Sequence, residues 1–332
     1  MSFRKQSRRT FCSTAMILTN QAFVQSPRWT AAVTSICAEG ESPDTLPPLV
    51  QAVRLLRGAP RARVVLTMGP RASLAYGLLA ALLGRRSRQV LCEVFLDDEW
   101  PQSWRWRAKT ALYRFVARRA EGVIVNSTPE IAEVSRRWGI PEERVRFVPI
   151  CTTVAEPRAV PAEEPPTVVC AGRTLRDLPT LFAAVPSIRA QVVLITSGEQ
   201  KLPGPVPENV TVLRDLPLDE FRARLAAAAV VALPLLPAPR STGQVVFLEA
   251  MSFGKPVVTT RAHGTVDYIR DGVDGLLVPP GDPEAMAAAV NAVLDDPGLA
   301  GRLSAGALEA VRGEFSPDTH ALRRLAALKA FG

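Results

Sequence analysis

An alternation runs twice through this chain and leaves few folds open to it: short runs of β-branched and aliphatic residues, each followed by a longer amphipathic stretch. A strand covered on both faces reads as an unbroken apolar run, and the segment that crosses back over the sheet reads with helical period. Repetition of the two specifies parallel sheets in an α/β fold. In the first half, strands are expected at 15–19, 62–67, 89–95 and 122–126, helices at 46–57, 72–83, 104–119 and 129–139, and a last strand at 146–149. In the second half, strands are expected at 167–170, 191–196, 210–213, 230–233 and 256–259, and helices at 177–184, 218–228, 244–252, 282–295 and 318–330.

Between the two series lies VAEPRAVPAEEPP, residues 154–166, rich in proline and glutamate and without period. Such a stretch reads as a linker. The expected architecture is α/β, with two Rossmann-like doubly wound domains facing a cleft. These are residues 1–153 and 167–332, joined by 154–166, with the last helix a candidate to pack back toward the first domain. A length of 332 residues and an apolar content of 47% suit two such cores. Ligands of doubly wound sheets bind beyond the carboxyl ends of the strands, so the loops leaving those ends are where chemistry is sought.

Charge is unevenly shared. Residues 1–150 hold 23 Lys and Arg against 12 Asp and Glu, a net of +11, whereas the remaining 182 hold 17 against 20, a net of −3. The basic half suits an anionic membrane surface, a phosphorylated acceptor or a nucleic acid, or else is a solvated arginine-rich surface with no partner. The five cysteines have no C-x-x-C spacing and mostly adjoin apolar runs, as buried thiols in a reducing compartment do. No apolar run reaches the roughly 18 residues of a membrane span. The basic start MSFRKQSRRTF lacks a convincing cleavage site. The expectation is a cytoplasmic protein, at most peripheral to the inner membrane surface. With no metal-ligand spacing, no G-x-x-x-x-G-K-[ST] and no G-x-G-x-x-G, neither metal nor cofactor is expected. The NTPase and dehydrogenase readings lose their support. No nucleic-acid motif is present, so no nucleic-acid partner is expected.

The segment STGQVVFLEAMSFGKPVVTT, residues 241–260, carries the most information. Ser241 followed by Gln244 reads as a capping box opening an apolar helix, and Gly243 admits close backbone approach. Free N–H groups and the positive dipole end at Ser241, Thr242, Gly243 and Gln244 would hold phosphate without a lysine. Glu249, about two turns on, is placed to accept hydrogen bonds from a ribose, or is a surface glutamate on an ordinary helix. In AGRTLRDLPTLFAAV, residues 171–185, Gly172, Arg173 and Arg176 fall on a strand-to-helix loop. There two guanidinium groups can grip a diphosphate, unless Arg176 only pairs with Asp177 at the surface.

The strings LEAMSFGKPVVTT and HGTVDYIRDGVDGLLVPPGDPEAMAAAV, with Cys170-Ala171-Gly172-Arg173 before them and VIVNSTPEIAEVSRRWGIPEERVRFVPI in the first half, resemble the GT4 family of retaining glycosyltransferases. The resemblance is weak before about residue 90. It implies a GT-B fold and transfer of a sugar from a nucleoside-diphosphate sugar to an acceptor hydroxyl with retention. It also implies donor binding by the second domain and acceptor binding by the first. Glu249 matches the family glutamate expected to hold the ribose, and Arg173 the family arginine. Arg176 is a shifted counterpart of a family lysine. Two departures stand out. The family's first glutamate, which helps hold the donor sugar, falls on Ser241, and its Gly-Gly-x-x-Glu appears as His263-Gly264-Thr265-Val266-Asp267. A histidine common in the acceptor domain of relatives is absent.

In residues 92–115, Trp104, Ala108, Ala111, Leu112 and Phe115 form one apolar stripe, flanked by Arg105, Arg107, Lys109 and Arg114. It reads as a core face, or as a surface for a membrane or lipid-linked acceptor. Glu93, Asp97, Asp98 and Glu99 follow a strand; Asp97 is the candidate to engage the acceptor hydroxyl or take its proton. Arg173, Arg176 and Asp97 are thus the catalytic candidates. Gly172, Arg173, Arg176, Ser241, Thr242, Gly243, Gln244 and Glu249 are the donor-binding ones. The partners expected are a nucleotide-sugar donor and an acceptor of anionic or lipid-linked type. The rival readings are an inactive nucleotide-binding relative and a basic membrane-surface or nucleic-acid module.

Overall fold

The structure, a computed structural model, describes residues 17–20, 25–37, 45–94 and 103–331. Two six-stranded sheets are present, and the strand pairs described in both are parallel. The first comprises β1 (Ile17–Thr19), β2 (Val33–Ser35), β3 (Val64–Met68), β4 (Gln89–Cys92), β5 (Gly122–Val125) and β6 (Val145–Phe147), in the order β2-β1-β3-β4-β5-β6. Its helices are α1 (Pro27–Ala32), α2 (Pro48–Gly58), α3 (Pro70–Leu82), α4 (Trp104–Arg119) and α5 (Pro129–Trp138). The second comprises β7 (Thr167–Ala171), β8 (Gln191–Thr196), β9 (Val210–Arg214), β10 (Val230–Leu233), β11 (Val257–Thr260) and β12 (Leu276–Val278), ordered β12-β11-β10-β7-β8-β9. Its helices are α6 (Leu178–Ala184), α7 (Leu218–Ala227), α8 (Gln244–Ser252), α9 (Pro283–Asp295), α10 (Pro297–Arg312) and α11 (Pro317–Phe331).

The chain divides into two compact units, residues 1–23, 29–122 and 331–332 in one, and residues 24–28 and 123–330 in the other. In the second unit the period of two along the strands decides the layers. Val168, Cys170, Val230 and Ala232 face one core with Leu181, Met286 and Val290, contributed by α6 and α9. Val169, Ala171, Val231 and Leu233 face the other with Leu225, Phe247, Met251 and Val311, contributed by α7, α8 and α10. The chain winds outward from β7 to β9 and then restarts at β10 on the other side of β7. The switch point therefore lies between β7 and β10, where the two outgoing loops splay apart at the carboxyl edge.

The linker stretch is fastened along its course. Arg158 N donates to Ser252 O at 2.8 Å and Val160 N to Phe253 O at 3.0 Å. The buried Lys255 Nζ donates to Val160 O at 2.7 Å. Burial pushes the Lys255 pKa down to about 8 against the opposing pull of Glu163.

The sequence pattern overlooks four elements. β2 and β12 have three residues each and α1 has six, too few to show a period. Helix α10 is long, but its sequence PGLAGRLSAGALEAVR holds three glycines that read as breakers. Packing overrides that propensity: Leu303, Ala307, Leu308, Ala310 and Val311 are all buried, and α10 lies against α8.

Candidate functional site

The loop leaving β7 is shaped by Gly172, whose φ of +129° lies outside the range of ordinary side chains. A Cβ at this position would stand 2.1 Å from Arg176 Nη2. Only glycine leaves room for the guanidinium, which folds back over the loop. Arg176 Nε donates to Ala171 O at 2.7 Å and Nη1 to Thr174 O at 2.9 Å. Burial pushes the Arg176 pKa down, and among the described residues no carboxylate pairs with it. It does not form a surface pair with Asp177. That carboxylate is buried and caps α6, accepting from Thr180 N at 3.1 Å and from Thr180 Oγ1 at 2.7 Å. Arg173 is exposed, its nearest anion among the described residues being Asp215 at 3.9 Å.

The loop leaving β10 meets the first loop at the switch point. Leu235 bridges Arg176 in antiparallel fashion, and Thr242 Oγ1 donates to Thr174 O at 3.4 Å. The expected capping box is corrected here. Helix α8 begins at Gln244, two residues later than a cap by Ser241 requires, and its N-cap is Gly243 with φ 90° and ψ −19°. A left-handed residue turns the chain into the helix so that no side chain reaches the free N–H groups. Ser241 Oγ and Gln244 Nε2, both buried, have no hydrogen-bond partner among the described residues. The main-chain donors at the start of α8 are left without a side-chain cap.

Ser241 is instead held through its own N–H, which donates to Glu130 Oε1 at 2.7 Å. Glu130 stands in the first turn of α5, is 3% exposed, and accepts through Oε2 from Asn126 N at 2.9 Å and Ser127 N at 3.0 Å. Asp267, in place of the family glutamate, accepts from Thr128 N at 2.7 Å and Thr128 Oγ1 at 2.8 Å. Tyr268 OH donates to Asn126 O at 2.8 Å and accepts from Ile150 N at 3.0 Å.

Glu249 is not a surface residue: it is 2% exposed in the middle of α8. Its Oε1 accepts from Arg222 Nη2 at 2.8 Å, from Arg222 Nε at 3.2 Å and from Thr153 Oγ1. Its Oε2 has no partner among the described residues.

Other sequence candidates lie elsewhere. Asp97 falls outside the described residues. The Trp104 stripe is not core: Trp104 is 74% exposed, Leu112 43% and Phe115 45%, with Ala108 and Ala111 also exposed. The buried face of α4 is Thr110, Tyr113, Val116 and Ala117, anchored where Tyr113 OH donates to Pro70 O at 2.8 Å. His320 is buried, its Nδ1 2.6 Å from Pro149 O, and burial pushes its pKa down to about 3. Sequence reasoning missed Glu130 and Arg222. A glutamate in a first helical turn and an arginine on an amphipathic helix are commonplace, and nothing local marks their partners.

Two doubly wound parallel sheets, the second with a glycine-opened helix start at its switch point, define a Rossmann-like α/β protein. Comparison with known proteins narrows this. Residues 17–151 match the glycosyl transferase 4-like domain and residues 165–296 match glycosyl transferases group 1. The chain belongs to the glycosyl transferases group 1 family. It is 32% identical over 163 residues to the GDP-mannose-dependent alpha-(1-6)-phosphatidylinositol monomannoside mannosyltransferase of Mycolicibacterium smegmatis, covering 41% of this chain and 42% of that protein. It is 36% identical over 100 residues to the lipopolysaccharide core biosynthesis glycosyltransferase LpsE of Rhizobium meliloti, covering 30% of this chain and 28% of that protein. The matched stretches thus take in less than half of these relatives. Among solved structures, Anabaena HepE in complex with UDP-glucose aligns with a TM-score of 0.68 at 19% identity, over 84% of this chain and 81% of that one. Sucrose-phosphate synthase from Thermosynechococcus elongatus aligns with a TM-score of 0.63 at 22% identity, over 90% and 82%. These likenesses show the fold.

Proposed function

We propose that the protein transfers a sugar from a nucleoside-diphosphate sugar to an acceptor hydroxyl, with retention at the anomeric carbon. The observation that carries this is the meeting of two loops at the switch point of the second sheet, one bringing Arg173 and Arg176, the other the glycine-opened start of α8. The task in such a reaction is to stabilise the diphosphate as its bond to the sugar breaks. Main-chain N–H groups at Gly243 and Gln244 and the Arg173 guanidinium would face the growing charge, and the buried Arg176, whose side-chain partners among the described residues are carbonyl oxygens, would gain an anion. Glu249 would hold the ribose through Oε2, its other oxygen being fixed by Arg222. The family membership and the names of the relatives, which are sugar transferases, support this reading.

The acceptor is proposed to be lipid-borne and the contact peripheral. Support comes from α4, which carries exposed Trp104, Leu112 and Phe115 beside six exposed cations and no acid. Arg105 lies over Trp104 at 5.6 Å and Arg119 over Phe115 at 5.7 Å. The exposed Leu82 and Leu83 close the neighbouring helix α3. Such a surface suits an anionic headgroup layer. Among the described residues no helix is long and apolar enough to cross a membrane. Two of the relatives are named for lipid glycans.

A thermal-shift series with UDP, GDP, ADP and dTDP tests the donor reading, since a ligand at about 100 times its Kd adds roughly 2.7 kcal/mol. Turnover of the matching nucleotide sugars then separates an enzyme from an inactive relative. No shift with any nucleotide overturns the proposal.

A further inference from the structure

The buried Glu249 carboxylate is held through one oxygen only. Its Oε1 takes Arg222 Nη2 at 2.8 Å, Arg222 Nε at 3.2 Å and Thr153 Oγ1, while Oε2, shielded from water, has no hydrogen-bond partner among the described residues. Arg222 Nη2 also reaches Thr153 Oγ1 at 3.2 Å and Thr153 O at 3.3 Å, so the three residues form a closed triangle. They come from α7, from α8 and from the segment just ahead of the 154–166 stretch. That segment is itself fixed. Thr152 N donates to Phe315 O at 2.9 Å, and Thr152 Oγ1 stands 2.7 Å from Ser252 Oγ, further along α8 from Glu249. Neither Arg222 nor Thr153 lies in the strings that carry the family resemblance.

A carboxylate left to itself turns about its last bond, and its two oxygens exchange places. Here three donors saturate Oε1, since each carboxylate oxygen offers about two lone-pair sites. The side chain is thereby locked, and Oε2 keeps its full accepting capacity. A buried acceptor without a donor lowers stability, and the cation that balances this carboxylate is already engaged by the other oxygen. What suits Oε2 is therefore a neutral donor such as a hydroxyl. Resting on the reading of Glu249 as the ribose acceptor, we infer that Arg222 and Thr153 are positioning residues of the donor site. They hold Oε1 so that Oε2 alone meets the ribose hydroxyls, and the side chain needs no further ordering when the nucleotide arrives. The ribose takes no part in bond breaking, so a contact to it is the same in ground state and transition state. The triangle thus serves binding and not the chemical step.

The test is calorimetry on the whole chain, with UDP and GDP as nucleoside diphosphates and inorganic diphosphate as the ligand that lacks a ribose. The variants are Arg222→Met, Arg222→Lys and Thr153→Val, each alone and combined with Glu249→Ala. Arg222→Met should weaken nucleoside-diphosphate binding by about tenfold and leave inorganic diphosphate within about twofold of wild type. For the nucleotide sugar that is turned over, KM should rise by a similar factor with kcat little changed, as loss of uniform binding requires. Arg222→Lys restores a cation without the forked pair of donors and should recover part of the loss. In the Glu249→Ala background neither Arg222→Met nor Thr153→Val should weaken binding further. Should Arg222→Met fail to fold, Thr153→Val at its exposed position decides, with a loss of about threefold confined to the nucleoside diphosphate. Full affinity in both single variants, with a loss in Glu249→Ala, overturns this inference alone and leaves a triangle that only fastens the chain to α8. Equal losses for the two kinds of ligand overturn it too, as does a further loss beyond that of Glu249→Ala. Wild-type affinity in Glu249→Ala rejects the ribose reading and the inference together. Wild-type protein that binds no nucleoside diphosphate rejects the donor reading, and the inference falls with it.

Discussion

Helix α8 is buried along nearly its whole length: Gln244 and the run from Val246 to Ser252 are shielded from water. Helix α4, almost twice as long, buries only Thr110, Tyr113, Val116 and Ala117. Both are rich in apolar residues, yet their surroundings differ. In α8 the groups proposed to bind are main-chain donors and one carboxylate fixed by Arg222, so on that proposal binding and stability share the same contacts. In α4 the groups proposed to make contact are side chains turned outward, which contribute little to the core. An apolar helix thus has two readings, core element or surface element, and its neighbours decide between them.

Four measurements put this contrast at risk. The largest effect is expected at the loop facing the start of α8. Arg173→Ala should lower kcat by on the order of 10²-fold with a smaller change in KM, because charge on the diphosphate grows in the transition state. Since Arg173 is exposed and only weakly paired with Asp215, the melting temperature should hold. A wild-type kcat removes Arg173 from the chemistry.

Next is Glu249→Ala, which should weaken nucleoside-diphosphate binding by roughly 1.5–3 kcal/mol through loss of charge-assisted bonds. It should also lower thermal stability, as Arg222 and Thr153 lose their shared partner. Affinity and melting temperature falling together is the mark of a buried site. Unchanged affinity in calorimetry would leave Glu249 a structural residue.

The surface helix should behave in the reverse way. Trp104→Ser with Phe115→Ser should weaken sedimentation with anionic liposomes by about 2 kcal/mol and leave stability unaltered, both rings being largely solvent-facing. Binding should fall between low and high salt as screening shortens to about 8 Å at physiological ionic strength. Equal, negligible binding of wild-type protein to anionic and neutral liposomes would favour a soluble acceptor.

The last test concerns acid. His320 has its folded pKa depressed to about 3, from an ordinary 6.5, so the unfolded chain binds a proton that the folded chain refuses. Its contribution is complete above about pH 6.5 and is lost as pH falls toward 3, at up to about 1.4 kcal/mol per pH unit. His320→Asn, which keeps a donor for Pro149 O, should flatten that limb in melting curves taken from pH 7 to 5. An identical slope in the variant would place the acid sensitivity elsewhere.

Much of the fold was legible because periodicity reports burial directly. The runs at 191–196 and 230–233 coincide with β8 and β10, and 244–252 with α8, since strands covered on both faces and a helix covered all round leave little ambiguity. Of the site, Gly172, Arg173 and Gly243 could be flagged because a loop at the carboxyl end of a strand needs those residue types to admit or grip an anion. The cap of α8, not its extent, was misread, because Ser-x-x-Gln is a cap only if the intervening backbone is helical, and Gly243 takes a left-handed conformation instead.

The amino-acid order alone thus sets the local and the periodic: two α/β series, the strand-end loops, and the unequal charge of the halves. Which distant groups meet is settled only when the chain is folded. The outward turn of the Trp104 stripe, the pairing of Arg222 with Glu249, and the Glu130 carboxylate on the Ser241 N–H, 111 residues away, are of this kind. Long-range hydrogen bonds and ion pairs have no sequence period, because they follow from how sheets and helices stack. The residue at either end can be any donor or acceptor that arrives within about 3 Å.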